Sequence, residues 1–98
     1  MDEGRVPRSA VVAATGPWSE GPEGLVRSYR CASWGIELAC ALAIGLLAEV
    51  RNHHPALLLE WRLLTVRLIT HAEGTVTDLD RALAREIDDL LGVRDETA

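Results

Sequence analysis

From Leu25 to Ala32 the chain alternates, with Leu25, Arg27, Tyr29 and Cys31 on one side and Val26, Ser28 and Arg30 on the other. A period of two predicts a strand. Trp18 and its neighbours predict the strand before it, joined across the Glu20-Gly21-Pro22-Glu23-Gly24 turn. From Gly35 to Arg51 the residues are mostly Ala, Leu, Ile and Glu, which predicts a helix with Ser33 as its N-cap. Its charged residues, Glu37, Glu49 and Arg51, sit near its ends, and it is apolar nearly all round. Such a helix needs cover on more than one side, which one small sheet does not supply. The pattern therefore points to a subunit interface.

Asn52-His53-His54-Pro55 ends the helix, and Pro55 biases His54 to an extended conformation. Ala56 to Trp61 and Leu63 to His71 then read as two strands. In the second, Leu64, Val66, Leu68 and Thr70 share one face, and Thr65, Arg67, Ile69 and His71 share the other. A tight turn at Trp61-Arg62 makes them a hairpin, although no Gly or Asn marks it. Thr77 caps a last helix with Asp78 and Asp80 in its first turn, an apolar stripe of Leu79, Leu83, Ile87, Leu90 and Leu91, and a stop at Gly92. The expected fold is α+β and two-layered. A four-stranded antiparallel sheet carries helices on one face, in the order β-β-α-β-β-α after a short N-terminal arm. The arm covers residues 1–17, poorly ordered or with a helical turn at Val11–Ala14; the domain covers 18–92, and a tail covers 93–98.

Composition narrows the function. Ninety-eight residues allow one domain with one modest core. A net charge of −5 argues against a nucleic-acid partner. The acidic N-terminus is not a signal peptide, and the apolar run from Leu38 to Ala48 is too short to span a bilayer, so a cytoplasmic, membrane-free protein is expected. Cys31 and Cys40 match neither a redox nor a zinc spacing and are expected as free, buried thiols. There is no Phe.

All three histidines fall between Asn52 and His71, at ends of predicted elements, with Glu49 one turn before His53 and Asp80 opening the last helix. Metal binding is disfavoured, because adjacent residues in extended chain point opposite ways and no ligand motif is present. Nucleophilic catalysis lacks a signature. General acid–base chemistry suits imidazoles, which exchange a proton near neutral pH, with a carboxylate to orient a ring. Taken singly, each residue also has a structural explanation. His53 and His54 suit a helix C-terminus, His71 a strand end, Asp80 a helix N-terminus and Trp61 a core.

Taken jointly, Glu49, His53-His54-Pro55, Trp61, His71 and Asp80 resemble the motif of the pterin-4a-carbinolamine dehydratase family. The flanks Leu25-Val26-Arg27-Ser28-Tyr29, Ala48-Glu49, Thr70-His71 and Thr77 with Leu83-Ala84 resemble it too, so the likeness runs from about Trp18 to Leu91. The resemblance implies a two-layered fold that assembles as a homodimer or homotetramer. It also implies removal of water from 4a-hydroxytetrahydropterin to give quinonoid dihydropterin. His53, His54 and His71 would carry the proton transfers, His54 centrally, with Asp80 and Glu49 orienting them and Pro55 and Trp61 beside the substrate. No metal or bound cofactor is implied; the pterin is the substrate. Cys31, Cys40 and Ala56-Leu57 replace residues that are often aromatic in the family, and the family's first helix gives way to the arm. Two other readings follow from the same likeness. One is a non-catalytic binding module, since the fold also resembles a transcription-factor dimerisation cofactor and a Rubisco assembly chaperone. The other is a tailoring enzyme acting on a non-pterin substrate.

Overall fold

A computed structural model describes residues 11–94. The elements run β1 (Val12–Ala14), β2 (Ser19–Gly21), β3 (Gly24–Cys31), α1 (Trp34–Arg51), β4 (Ala56–Glu60), β5 (Leu63–Leu68) and α2 (Asp78–Leu91). They form an α+β fold of two helices and one antiparallel sheet. The sheet has five strands rather than four, in the order β1-β3-β5-β4, with β2 also on β3. The extra strand comes from the expected arm: Val12–Ala14 is extended, not helical, and pairs with Tyr29–Cys31. β2 pairs further back along the same edge of β3. Ala13 and Ala14 therefore gain ladder partners that no local helix would give them. The rest of the arm, residues 1–10, and residues 95–98 of the tail lie outside the described residues.

The alternation in β3 and β5 sets the layers. Leu25, Arg27, Tyr29 and Cys31, with Leu64, Val66 and Leu68, are buried beneath the helices, whereas their alternates are half-buried or exposed. The core closes over this face with Ile44 of α1 and Leu83, Ala84, Ile87 and Leu91 of α2. On α2 the buried arc also includes Asp80, while Leu79 and Leu90, expected in the stripe, flank it and are exposed. Ser33 caps α1 by accepting the Ile36 N–H, and Asn52 ends it in the left-handed region at φ 51°. The β4–β5 turn is Trp61-Arg62, and Arg62 takes a positive φ of 64°. It is held there from β3: Arg62 Nε donates to the Cys31 carbonyl, and the Cys31 N–H donates to that of Arg62. The β5 ladder stops at Leu68, short of the expected His71. Thr70 makes only a bridge to Thr75, and a turn covers His71–Gly74.

Cys31 and Cys40 are free and buried. Burial first, then Cys40 and Glu37, pushes the Cys31 thiol up to about 11, so it stays protonated and unreactive. Glu37, expected as a charged residue near a helix end, is fully buried, and neither of its oxygens has a hydrogen-bond partner among the described residues. Among the described residues no helix is long and apolar enough to cross a membrane.

One carboxylate fastens α2 to the sheet. Asp88 accepts from Trp18 Nε1 at 2.9 Å, Arg27 at 2.9 Å and the Tyr29 hydroxyl at 2.6 Å. Arg27 also donates to the Gly16 carbonyl, and Trp18 meets Tyr29 edge-on at 6.4 Å. Charge-assisted bonds of this kind, largely out of water, are costly to break. Asp88→Ala should lower the unfolding free energy by about 3 kcal/mol, read from the urea midpoint with an unchanged m-value.

Candidate active site

One end of the sheet gathers four chain segments. β4 begins there and β5, antiparallel to it, ends there, with Ala56 opposite Arg67. α1 has just ended and α2 is about to start. Gly24, at the start of β3, makes the close packing possible: at its φ of +119° an added Cβ would lie 2.3 Å from the Leu68 carbonyl oxygen.

The α1–β4 corner aims the first two histidines. The left-handed Asn52 reverses the chain, and the His53 N–H then bonds back to the Ala48 carbonyl. This tucks His53 under the end of the helix, and Pro55 holds the next residue out. The two rings consequently part. His53 Nε2 lies 2.6 Å from Asp80 Oδ1, and the His53 side chain is only 16% exposed. His54 Nε2 lies 2.7 Å from Glu49 Oε1, in a pair that is exposed on both sides. His71 is exposed in the turn after Thr70; its carbonyl accepts the Gly74 N–H, and its ring has no hydrogen-bond partner among the described residues.

Asp80 is the hub. As the third residue of α2 it closes a capping box with Thr77, its Oδ2 accepting the Thr77 N–H at 2.9 Å. The same oxygen accepts the Thr70 hydroxyl at 2.7 Å, and that hydroxyl also lies 2.7 Å from the Thr77 hydroxyl. Burial alone would raise the Asp80 pKa. The bonds from His53, the Thr77 N–H and Thr70, with the charge of His53, outweigh it and hold the carboxyl below its ordinary 3.8.

Of the residues singled out in the sequence, His53 and Asp80 touch, His54 and Glu49 touch, and His71 follows the Thr70 that touches Asp80. Pro55 sits in the corner itself. Trp61 does not join them: it is 75% exposed at the far end of β4, about 17 Å along the strand from the corner at ~3.3 Å per residue. There the Arg62 guanidinium stacks over its ring at 5.5 Å. The sequence places Thr70 on a face of the expected strand and in a motif flank but gives it no role in the site; its further signal is the Thr-x-x-Asp cap seven residues later.

The Asp80 network carries a pH dependence. A carboxyl whose folded pKa is depressed adds stability that is complete above its unfolded value and is lost as the pH falls through the folded one. Unfolding free energy should thus decline as the pH falls below about 5 and on through the depressed Asp80 pKa, and Asp80→Asn should flatten that decline in urea titrations.

Comparison with known proteins identifies the family and the fold. The family model described as pterin 4 alpha carbinolamine dehydratase matches residues 7–90. A relative from Mycolicibacterium vanbaalenii, named for pterin-4-alpha-carbinolamine dehydratase, is 35% identical over 75 residues, covering 76% of this chain and 81% of its own. One of the same name from Chloroflexus aggregans is 36% identical over 76 residues, with the same coverage. The crystal structure of a transcriptional coactivator/pterin dehydratase from Brucella melitensis superposes with a TM-score of 0.71 at 30% identity, over 76% of this chain and 82% of that one. A pterin dehydratase-like RuBisCO assembly factor of the alpha-carboxysome shares the fold, at a TM-score of 0.66 and 19% identity over 82% of this chain and 95% of that one. With its fold and its family match in agreement, this chain belongs to the pterin 4 alpha carbinolamine dehydratase family.

Proposed function

We propose that this chain is a hydro-lyase that removes water from pterin-4a-carbinolamine to give quinonoid dihydropterin. The observation that carries the reading is the half-buried His53 imidazole held against the ionised, fully buried Asp80. In the reaction the bond from C4a to the hydroxyl oxygen breaks, and the oxygen leaves as water with a proton from a general acid. The neighbouring ring N–H gives its proton to a general base, and its electron pair forms the new C–N double bond. Only protons move between enzyme and substrate, so the pterin is the substrate and no further cofactor takes part.

His53 suits the base. A carboxylate on one ring nitrogen leaves the other to accept a proton and steadies the imidazolium that results. The acid falls to His54 or His71, which are exposed at the same end of the sheet. His54 was the expected centre of the set, but its solvent-exposed partner Glu49 offers less support than Asp80 offers His53. The purified protein should accelerate dehydration of the 4a-carbinolamine, and His53→Ala should reduce kcat by about 10²- to 10⁴-fold, more than His54→Ala does. Wild-type rates equal to buffer would refute the activity.

The partner for assembly is a second copy of this chain. Trp34, Leu38, Leu42, Leu46 and Val50 form a row along the outer face of α1, with Leu42 64% and Val50 75% exposed. No charge interrupts the row, so two copies can lay it against each other. β4 adds an edge strand with an exposed Leu58 and no Pro or Lys to guard it. Sedimentation should find a homodimer or homotetramer, and Leu42→Asp with Leu46→Asp should reduce its order. A monomeric wild type would dismiss the assembly and leave the activity untouched.

A further inference from the structure

The hydrogen bonds around Asp80 have a direction, and it can be read without seeing a proton. Asp80 is ionised and only accepts. The Thr77 N–H can only donate, and it is given to Oδ2. The Thr70 hydroxyl, 2.7 Å from that same oxygen, must therefore spend its one proton there. Thr70 then has only lone pairs left for Thr77, so the Thr77 hydroxyl donates across their 2.7 Å contact. Thr77 in turn accepts the Leu79 N–H. With Oδ2 saturated by two donors, Oδ1 is left for His53, and Nε2 must carry a proton to meet it. Among the described residues His53 makes no hydrogen bond at Nδ1.

The geometry points to a one-way chain, from Thr77 through Thr70 to Asp80, that locks neutral His53 in the Nε2–H tautomer and leaves Nδ1 as its proton-accepting atom. Thr70 is accordingly a positioning residue: it touches Asp80 rather than the ring and fixes which carboxylate oxygen faces His53. It is well built for this, being buried, bridged to Thr75 and one residue from His71. The groups that bear on His53 are Asp80 from α2, Thr70 from the segment after β5, and the adjoining His54 with its partner Glu49. The assignment of Nδ1 as the base atom rests on the proposed dehydration; the tautomer does not.

The test is nitrogen NMR of the labelled full-length protein without substrate, beside steady-state kinetics. In the wild type at a pH where His53 is neutral, Nε2 should show a protonated, pyrrole-type shift and Nδ1 a bare, pyridine-type one. Thr70→Val removes a donor from Oδ2 and frees the carboxylate to turn, so it should move the His53 ring shifts and lower kcat by about 10- to 100-fold with KM nearly constant. Thr70→Ser should restore both. Should Thr70→Val fail to fold, Asp80→Asn reads the same chain. Thr70 and the Thr77 N–H would hold the amide oxygen, the amide NH2 would face His53, and the ring would be forced to the opposite tautomer, as an Asp→Asn change does beside a catalytic histidine elsewhere. A wild type with its proton on Nδ1, a folded Thr70→Val protein with wild-type ring shifts, or an Asp80→Asn protein that keeps Nε2–H would each overturn the inference. Absence of turnover in a wild type that shows the Nε2–H signature would instead refute the proposed reaction and leave the tautomer established.

Discussion

A buried carboxylate has to be saturated with donors, and the placement of Asp80 shows how much structure that requirement can organise. Its two oxygens draw in the Thr77 backbone, the Thr70 hydroxyl and the His53 ring. These belong to the start of α2, the chain beyond β5 and the α1–β4 corner. Each would be a loosely held connection by itself. Closing a helix N-terminus and orienting an imidazole are usually separate tasks, and here one side chain does both. The helix supplies a fixed position and a favourable dipole for the negative charge, and the ring receives a rigid acceptor.

A second carboxylate secures the other half of the same helix. Asp88 lies eight residues after Asp80 and binds Trp18, Arg27 and Tyr29. Between the two, Leu83, Ala84 and Ile87 pack on the sheet. Dispersion and apolar burial hold α2 down without choosing its rotation or axial position closely. Two polar anchors with fixed partners make that choice, and the site inherits the precision.

The core near the start of α1 follows a different rule. With no Phe in the chain, Cys31 and Cys40 occupy buried positions close to the fully buried Glu37. Small thiols leave room that an aromatic ring would take, and a carboxyl is placed near them. Cys31 and Glu37 lie about the start of α1, whereas His53 follows its end, so this change leaves the His53–Asp80 corner alone.

Periodicity and capping chemistry reside in neighbouring residues, so the sequence by itself determined the element order, the buried faces of β3 and β5, the caps at Ser33 and Thr77 and the stop at Gly92. It also marked His53, His54, His71 and Asp80 as a set through their resemblance to a family motif. It could not set the edges of that picture. Val12–Ala14 became a strand because β3 offered an open ladder, which no local signal announces. Only the tertiary structure decided that Asp80 meets His53 while His54 turns to Glu49, that Thr70 belongs to the network, that Glu37 is buried, and that Trp61 stands at the opposite end of β4. The physical reason is direction. Spacing along a chain says which residues are near, but the left-handed turn at Asn52 and the rotation of α2 decide where a side chain points, and both are fixed by contacts between residues far apart in sequence.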